Sequence, residues 1–145
     1  PVAVLHVGIA GARRASALAP CTTVIGSESR YCDLHVPAEW APSRITPVTS
    51  LLDAARAALP DALLLPIGTS ARVGGSSGCD VEAMEGFGVL RAAQLAGVPA
   101  IEVRVISNVI EEADRRLWRF DDAFTAVAAL TPCLVARIAQ EFVHA

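Results

Sequence analysis

The chain has 145 residues, 53% of them apolar and 19% charged, with 15 acidic against 12 basic side chains and a net charge of −3. That length allows one domain with a substantial core, and the acidic balance without a basic run argues against non-specific nucleic-acid binding. The apolar stretches read as too short and too interrupted to cross a bilayer, and the start lacks a leader's charged and apolar regions, so the expected place is the cytoplasm.

In chain order, "VAVLHVG" (2–8) is a continuous apolar run ending in glycine. It suits a strand buried on both faces, with His6 a satisfied core residue inside it. "GIAGARR" (8–14) reads as a glycine-punctuated turn, followed by Arg13 and Arg14 as either an anion contact or solvated surface. "TTVIGSESRYCD" (22–33) begins as a β-branched strand and turns polar, and the prolines of 36–48 make an irregular connection with at most a short strand. "TSLLDAARAAL" (49–59) has a Thr/Ser start and no breaker, and reads as a helix. "ALLLPIG" (62–68) is a second buried strand. "TSARVGGSSG" (69–78) is the most flexible-looking segment, either a mobile lid or a plain linker.

Met84 to Ala96 reads as a helix closed by Gly97 and followed by Pro99. Its lead, "DVEAMEGFG" (80–88), sets two glycines beside an acid where a helix would carry Ala or Leu. The reading is that Gly86 and Gly88 let a neighbouring strand or turn, such as "GIAGA", approach the helix that presents Glu85. In "AIEVRVIS" (100–107), Ile101, Val103 and Val105 share one face and Glu102, Arg104 and Ile106 the other, which predicts a strand with one charged, partly covered face. Residues 108–118 read as loop with helical turns, and 121–145 as a long amphipathic helix that Pro132 kinks or restarts. The four cysteines, Cys21, Cys32, Cys79 and Cys133, form no ligand pair, so no metal site is expected and they read as small buried hydrophobes. Strands separated by helices predict an α/β sheet with helices on both sides, in one domain over 1–145. Ligand-bearing strand ends fall at 8–12, 68–74 and 107–109.

The motif order resembles the purine nucleoside phosphorylase and nucleosidase superfamily. "VGIAGA" (7–12) is similar to its glycine-rich central turn, "SESRYCDLHV" (27–36) to its Arg-Tyr-x-Asp segment, and "VEAMEGFGVLRAAQLAGVPAIEVRVISN" (81–108) is the strongest match. Within the superfamily, "MEGFGVLRAA", "EVRVISN" and "DRRLW" look most like futalosine hydrolases, which release hypoxanthine from a modified nucleoside on an alternative route to menaquinone. The resemblance implies a three-layer α/β/α sandwich around a mixed central sheet, shortened at its N-terminus relative to the family domain. It implies a purine nucleoside as substrate, no cofactor, no metal, no nucleic-acid or membrane partner, and a homo-oligomer, a dimer being favoured. The alternatives are a phosphate-dependent phosphorylase and a shortened, inactive nucleoside-binding or structural relative.

Cleaving an N-glycosidic bond leaves positive charge on the sugar and negative charge on the purine. By resemblance, Glu85 accepts from the ribose hydroxyls and favours the cationic sugar, kept ionised by a helix N-terminus, while Met84 packs on the sugar. Asn108, oriented by Ser107, contacts the 6-oxopurine, and relatives acting on adenine nucleosides carry Asp there. An amide cannot titrate near neutrality, so Asn108 binds and polarises rather than protonates. Ala10 and Gly11 belong to the glycine-rich segment of the binding site. Tyr31 and Gly68 to Val73 are expected to border the pocket, with the Arg72 guanidinium stacking on the base, and Phe87 and Trp118 to serve core or interface packing. For activation of the attacking water, a neighbouring subunit, Glu28 and Asp33 stay open.

Overall fold

The computed structural model describes residues 1–33, 36–76 and 78–143, the side chain of Val143 excepted. Six strands form one mixed sheet: β1 (Val4–Ala12), β2 (Thr23–Tyr31), β3 (Arg44–Ile45), β4 (Leu63–Thr69), β5 (Val81–Ala83) and β6 (Ala100–Val109). Their order is β3-β2-β4-β5-β1-β6, and β2 also pairs with β6, so the sheet curls back on itself. The β1–β6, β2–β4 and β4–β5 pairs are parallel; β1–β5, β2–β3 and β2–β6 are antiparallel. Helices α1 (Thr49–Ala58) and α3 (Phe120–Val143) cover one side, where Leu51, Ala54, Ala55, Leu134 and Ile138 pack on Ile25, Ile101 and Val103. Helix α2 (Gly86–Leu95) covers the other, with Phe87 and Leu90 against Ile45. A third cluster, Ala10, Ala12, Val24, Ile67, Val81, Ala83 and Ile106, fills the inside of the curl. The α/β architecture with a mixed sheet and helices on two sides is the one expected.

Several local expectations need correction. "GIAGA" is not a turn: β1 runs through it to Ala12, in parallel register with β6 and with a bulge between Ala10 and Gly11. The doubly buried strand is β6, whose residues Ile101 to Asn108 are all buried; Val4 to Ile9 of β1 are half-buried, because β5 reaches only Gly11 and Ala12. The charged face of β6 is not partly covered but closed, with Glu102 at 0% and Arg104 at 4% exposure. Within segment 69–78, Ser70 and Ser76 are buried and residues 71–74 between them are exposed. Helix α3 is continuous through Pro132. With its lead, Arg115–Phe142, it is long and apolar enough by length and composition to span a bilayer, contrary to the expectation; here Ala123, Leu134 and Ile138 are buried, and Leu134 and Ile138 pack in the core against α1 and β6. Of the cysteines only Cys79 is buried; Cys32 is half-buried and Cys21 and Cys133 are exposed.

Helix α2 starts later than expected, because Val81–Ala83 is a strand and Glu85 takes the N-cap position with no side-chain cap bond. The glycine puzzle resolves at Gly86. A Cβ there would lie 2.1 Å from both carboxylate oxygens of Glu102, so the glycine makes room for a buried acid and not for the "GIAGA" backbone. Gly88 has no heavy atom within 4 Å of such a Cβ and no packing reason.

The two glycines should therefore respond oppositely to the same substitution. Gly86→Ala should lower unfolding free energy by about 1–3 kcal/mol, the usual range for overpacking, whereas Gly88→Ala should raise it by about 0.5–1 kcal/mol through helix propensity. Urea unfolding of the two variants beside the parent checks both signs; equal effects would remove the assigned role of Gly86.

Candidate functional site

The parallel pairing of β1 with β6 carries both strands to the same end of the sheet, and the bulge sets Gly11 opposite Asn108. Beside that end, β5 delivers Glu82 to Ala83 and the link to α2 delivers Met84 and Glu85. A cleft of about 230 Å³ opens there. Its lining comes from Ile9, Ala10 and Gly11 on β1, Glu82 to Glu85, Ser107, Asn108 and Ile110 on and after β6, Val73 from the 69–78 segment, and Trp118 and Phe120 ahead of α3. Ala10, Gly11, Met84, Glu85, Ser107 and Asn108 thus share one cavity, while Arg72 does not line it and its neighbour Val73 does.

Asn108 is buried but faces this cleft. Its Oδ1 accepts from the Ser107 hydroxyl at 2.8 Å, and its Nδ2 donates to the Val109 carbonyl at 3.2 Å. Ser107 Oγ also lies 3.2 Å from the Ala10 carbonyl, which ties the amide to β1. An amide nitrogen carries two hydrogens, so one N–H remains for the cleft. Gly11 is what admits this group: a Cβ there would sit 3.1 Å from Asn108 Nδ2 and 2.9 Å from Ile110 Cγ1.

Glu85 is held from below. Its side chain is 60% exposed, and its Oε2 accepts from Arg104 Nη2 at 3.2 Å. Arg104 in turn donates through Nε to Glu102 Oε1 at 2.8 Å and through Nη1 to the Ile9 carbonyl at 3.3 Å. Its Nη2 also meets His6 Nε2 at 2.5 Å. Arginine has only donors, so His6 Nε2 is the acceptor and the imidazole carries its proton on Nδ1. Burial pushes the His6 pKa below its ordinary 6.5, and the Arg104 cation pushes it further; Glu85 opposes them. His6 is therefore not a bland core residue but a contact of the ion-pair chain. Glu102 moves the other way: burial raises its carboxyl above the usual range, against the pull of Arg104.

Glu82 pins the 69–78 segment. Its Oε1 accepts from the Gly74 amide at 2.6 Å, and its Oε2 from the Ser76 amide at 2.7 Å and the Ser76 hydroxyl at 2.5 Å. Arg13 adds bonds to the Cys79 carbonyl at 3.2 Å and to the Ser76 carbonyl, so it is a structural clamp and not an anion contact. Asp33 receives the Ser70 hydroxyl at 3.0 Å and the Ala71 amide at 2.5 Å. Glu28 pairs with Arg30 and, at 3.9 Å, with Arg44. Neither Glu28 nor Asp33 lines the cleft; among the described residues its carboxylates are Glu82 and Glu85.

The aromatic expectations divide. Phe87 does pack in the core, and Tyr31 stacks on it at 5.2 Å with the rings 17° apart, which takes Tyr31 away from the cleft. Trp118 is not merely packing: it borders the cleft edge-on to Phe120 at 5.4 Å, fixed by an indole N–H bond of 3.0 Å to the Glu112 carbonyl. Arg115 lies over its ring at 5.4 Å from the centroid. Sequence reasoning missed Glu82, Glu102 and Arg104. The signal for the last two was present, since opposite charges two apart in an apolar strand lie side by side on one face.

No known family model matches the chain. Curated relatives do: it is 46% identical over 61 residues to the futalosine hydrolase of Streptomyces coelicolor, covering 39% of this chain and 26% of that protein. The futalosine hydrolase of Acidothermus cellulolyticus matches at 46% over 59 residues, covering 36% and 24%. These alignments span about a quarter of the relatives' length. Among solved structures, futalosine hydrolase of Helicobacter pylori superposes with a TM-score of 0.80 at 18% identity, over 93% of this chain and 68% of that one. The methylthioadenosine/S-adenosylhomocysteine nucleosidase of Colwellia psychrerythraea, solved with adenine, gives 0.78 at 20%, over 97% and 67%. The chain shares the fold of these nucleosidases, and a stretch of about 60 residues is similar in sequence to futalosine hydrolases.

The His6 contact makes stability depend on pH with a defined sign. A folded-state pKa below 6.5 means that the unfolded chain binds more protons, so the contribution is present above 6.5 and lost as pH falls through the folded value. The unfolding free energy of the parent minus that of a His6→Gln variant should therefore fall between pH 7 and pH 5 in urea titrations. A constant difference would show that His6 titrates alike in both states.

Proposed function

We propose that this chain forms the base- and ribose-binding part of a purine nucleoside hydrolase of the futalosine hydrolase type, with hypoxanthine as the released base. The observation that carries the reading is the cleft that Glu85 and Asn108 share, one offering a carboxylate and the other an oriented amide N–H. In hydrolysis the bond between the anomeric carbon and purine N9 breaks, its electron pair leaves with the base, a water oxygen bonds to that carbon, and the proton the water gives up is matched by one taken up by the departing purine. Glu85 is suited to accept from the ribose 2′- and 3′-hydroxyls and to favour the cationic sugar. Asn108 is suited to donate to an acceptor on the 6-oxopurine, where negative charge collects. Met84 supplies an apolar wall to the sugar, and Trp118 with Phe120 an aromatic surface for the base, the task first read into Arg72. The 46% identity to two futalosine hydrolases favours this substrate class over adenine nucleosides. A place on a menaquinone route, a cytoplasmic location, a single nucleosidase-like unit over 1–145 and a homodimer belong to the same proposal.

Hypoxanthine should appear from futalosine or inosine without added phosphate. A strict phosphate requirement would move the protein to the phosphorylases, and calorimetric binding with background turnover would make it a non-catalytic binder. Glu85→Gln removes charge-assisted bonds worth about 1.5–3 kcal/mol and should lower kcat/KM about 10–150-fold. Asn108→Asp should shift preference toward 6-aminopurine nucleosides, whose exocyclic amine a carboxylate accepts; an unchanged preference in competition assays would refute the role of Asn108.

A further inference from the structure

Arg104 and Glu102 do not line the cleft themselves, yet the fold is shaped around them. Glu102 is fully buried, and its carboxylate occupies the space a side chain at position 86 would need. Arg104 does the same at position 8, where a Cβ would lie 2.5 Å from its Nη1. Two glycines on two different elements thus accommodate one buried ion pair. Glu102 Oε1 takes Nε of Arg104, and among the described residues its Oε2 has no hydrogen-bond partner in the structure. The guanidinium is planar and rigid, so fixing Nε fixes where Nη2 points. Nη2 points at Glu85.

We propose that Glu102 is a positioning residue: its buried carboxylate locks Arg104 through Nε so that the adjoining Nη2 holds Glu85 at the mouth of the cleft. The inference rests on the reading that Glu85 binds the sugar. A buried pair is weak evidence of stabilisation, because desolvation offsets its attraction; a second glycine adapted to it points to placement as its purpose. The groups facing the pair are Glu85 ahead of α2, His6 on β1 and, on β2, the Ser29 hydroxyl.

Two substitutions separate geometry from charge. Glu102→Gln keeps length and an acceptor oxygen for Nε but removes the charge. Glu102→Asp keeps the charge but draws it back by one methylene, beyond reach of the present contact. Positioning predicts kcat/KM within about threefold of the parent for Gln, and a loss on the order of 10²-fold for Asp, carried mainly by kcat, as displacement by about 1 Å produces. The reverse order, Asp near the parent and Gln impaired, would overturn the proposal and leave a charge effect. The second readout needs no substrate. An NMR titration should show the His6 pKa rising toward 6.5 in Glu102→Asp, because Arg104 follows the shortened carboxylate away from the imidazole. If the parent hydrolyses no purine nucleoside, the enzymatic reading fails by itself, and the His6 titration still decides this proposal: an unchanged value in Glu102→Asp overturns it.

Discussion

The buried guanidinium of Arg104 is the constraint around which the site end of the molecule is organised. It lies between β1 and β6, bonds to the Ile9 carbonyl of one strand and the Glu102 carboxylate of the other, and reaches the link before α2 through Glu85. Removing one partner of such a pair costs about 3–5 kcal/mol, because the other charge is left without compensation. The pair itself gains little net free energy. Its cost is met by apolar burial on the opposite face of the same strand, where Ile101, Val103 and Val105 are buried. Strand β6 therefore divides its labour: Ile101, Val103 and Val105 pack in apolar surroundings, while Glu102 and Arg104 form the ion pair behind the cleft.

The glycines are the counterpart of this arrangement. Gly8 yields to Arg104, Gly11 to the Asn108 amide and Gly86 to Glu102. None of the three has the positive backbone angle that would make glycine necessary in a turn. Their role is absence of bulk, and the bulk they avoid belongs to residues about 16 to 97 positions away in the chain. That explains why "GIAGA" reads as a turn from sequence and forms a strand in the structure. Local propensity sees a glycine's freedom; it does not see a distant side chain that needs its space.

The same distinction separates what was legible from what was not. Helix α1 and strands β2, β4 and β6 follow from periodicity and breakers, because each signal is local. Strand-end reasoning reached Ala10, Gly11, Ser107 and Asn108, while Met84 and Glu85 joined them only through the family resemblance; all six line one cleft. Arg72 and Tyr31 were misplaced because their surroundings depend on ties the sequence does not display. Glu82 cinches Gly74 and Ser76, which leaves Val73 on the cleft wall, and Phe87 captures the ring of Tyr31. Glu82 was itself visible as an acid in an apolar strand, but its three donors lie in a segment that reads as linker.

The polarity of the cleft bears on the proposed chemistry more than its volume does. Asn108 has one amide N–H left to offer a ligand as a donor, whereas Glu85 meets it only as an acceptor. A purine riboside breaking at its glycosidic bond has the matching pattern: hydroxyl donors and growing positive charge at the sugar, ring acceptors and growing negative charge at the base. Since neither protein group needs to change protonation state to serve these contacts, their fields are set before the bond breaks, and preorganised dipoles of that kind cost no reorganisation at the moment of reaction. Arg104 fits the same logic. A cation beside Glu85 weakens the attraction of that carboxylate for a cationic sugar, and exact neutralisation would defeat the site. Arg104 meets Glu85 only through Oε2, and the Glu85 side chain is 60% exposed, so among the described residues Oε1 is left to accept from a ligand. In the proposed arrangement the buried acid serves this contact through geometry, because its bond to Nε fixes the guanidinium whose Nη2 meets Glu85.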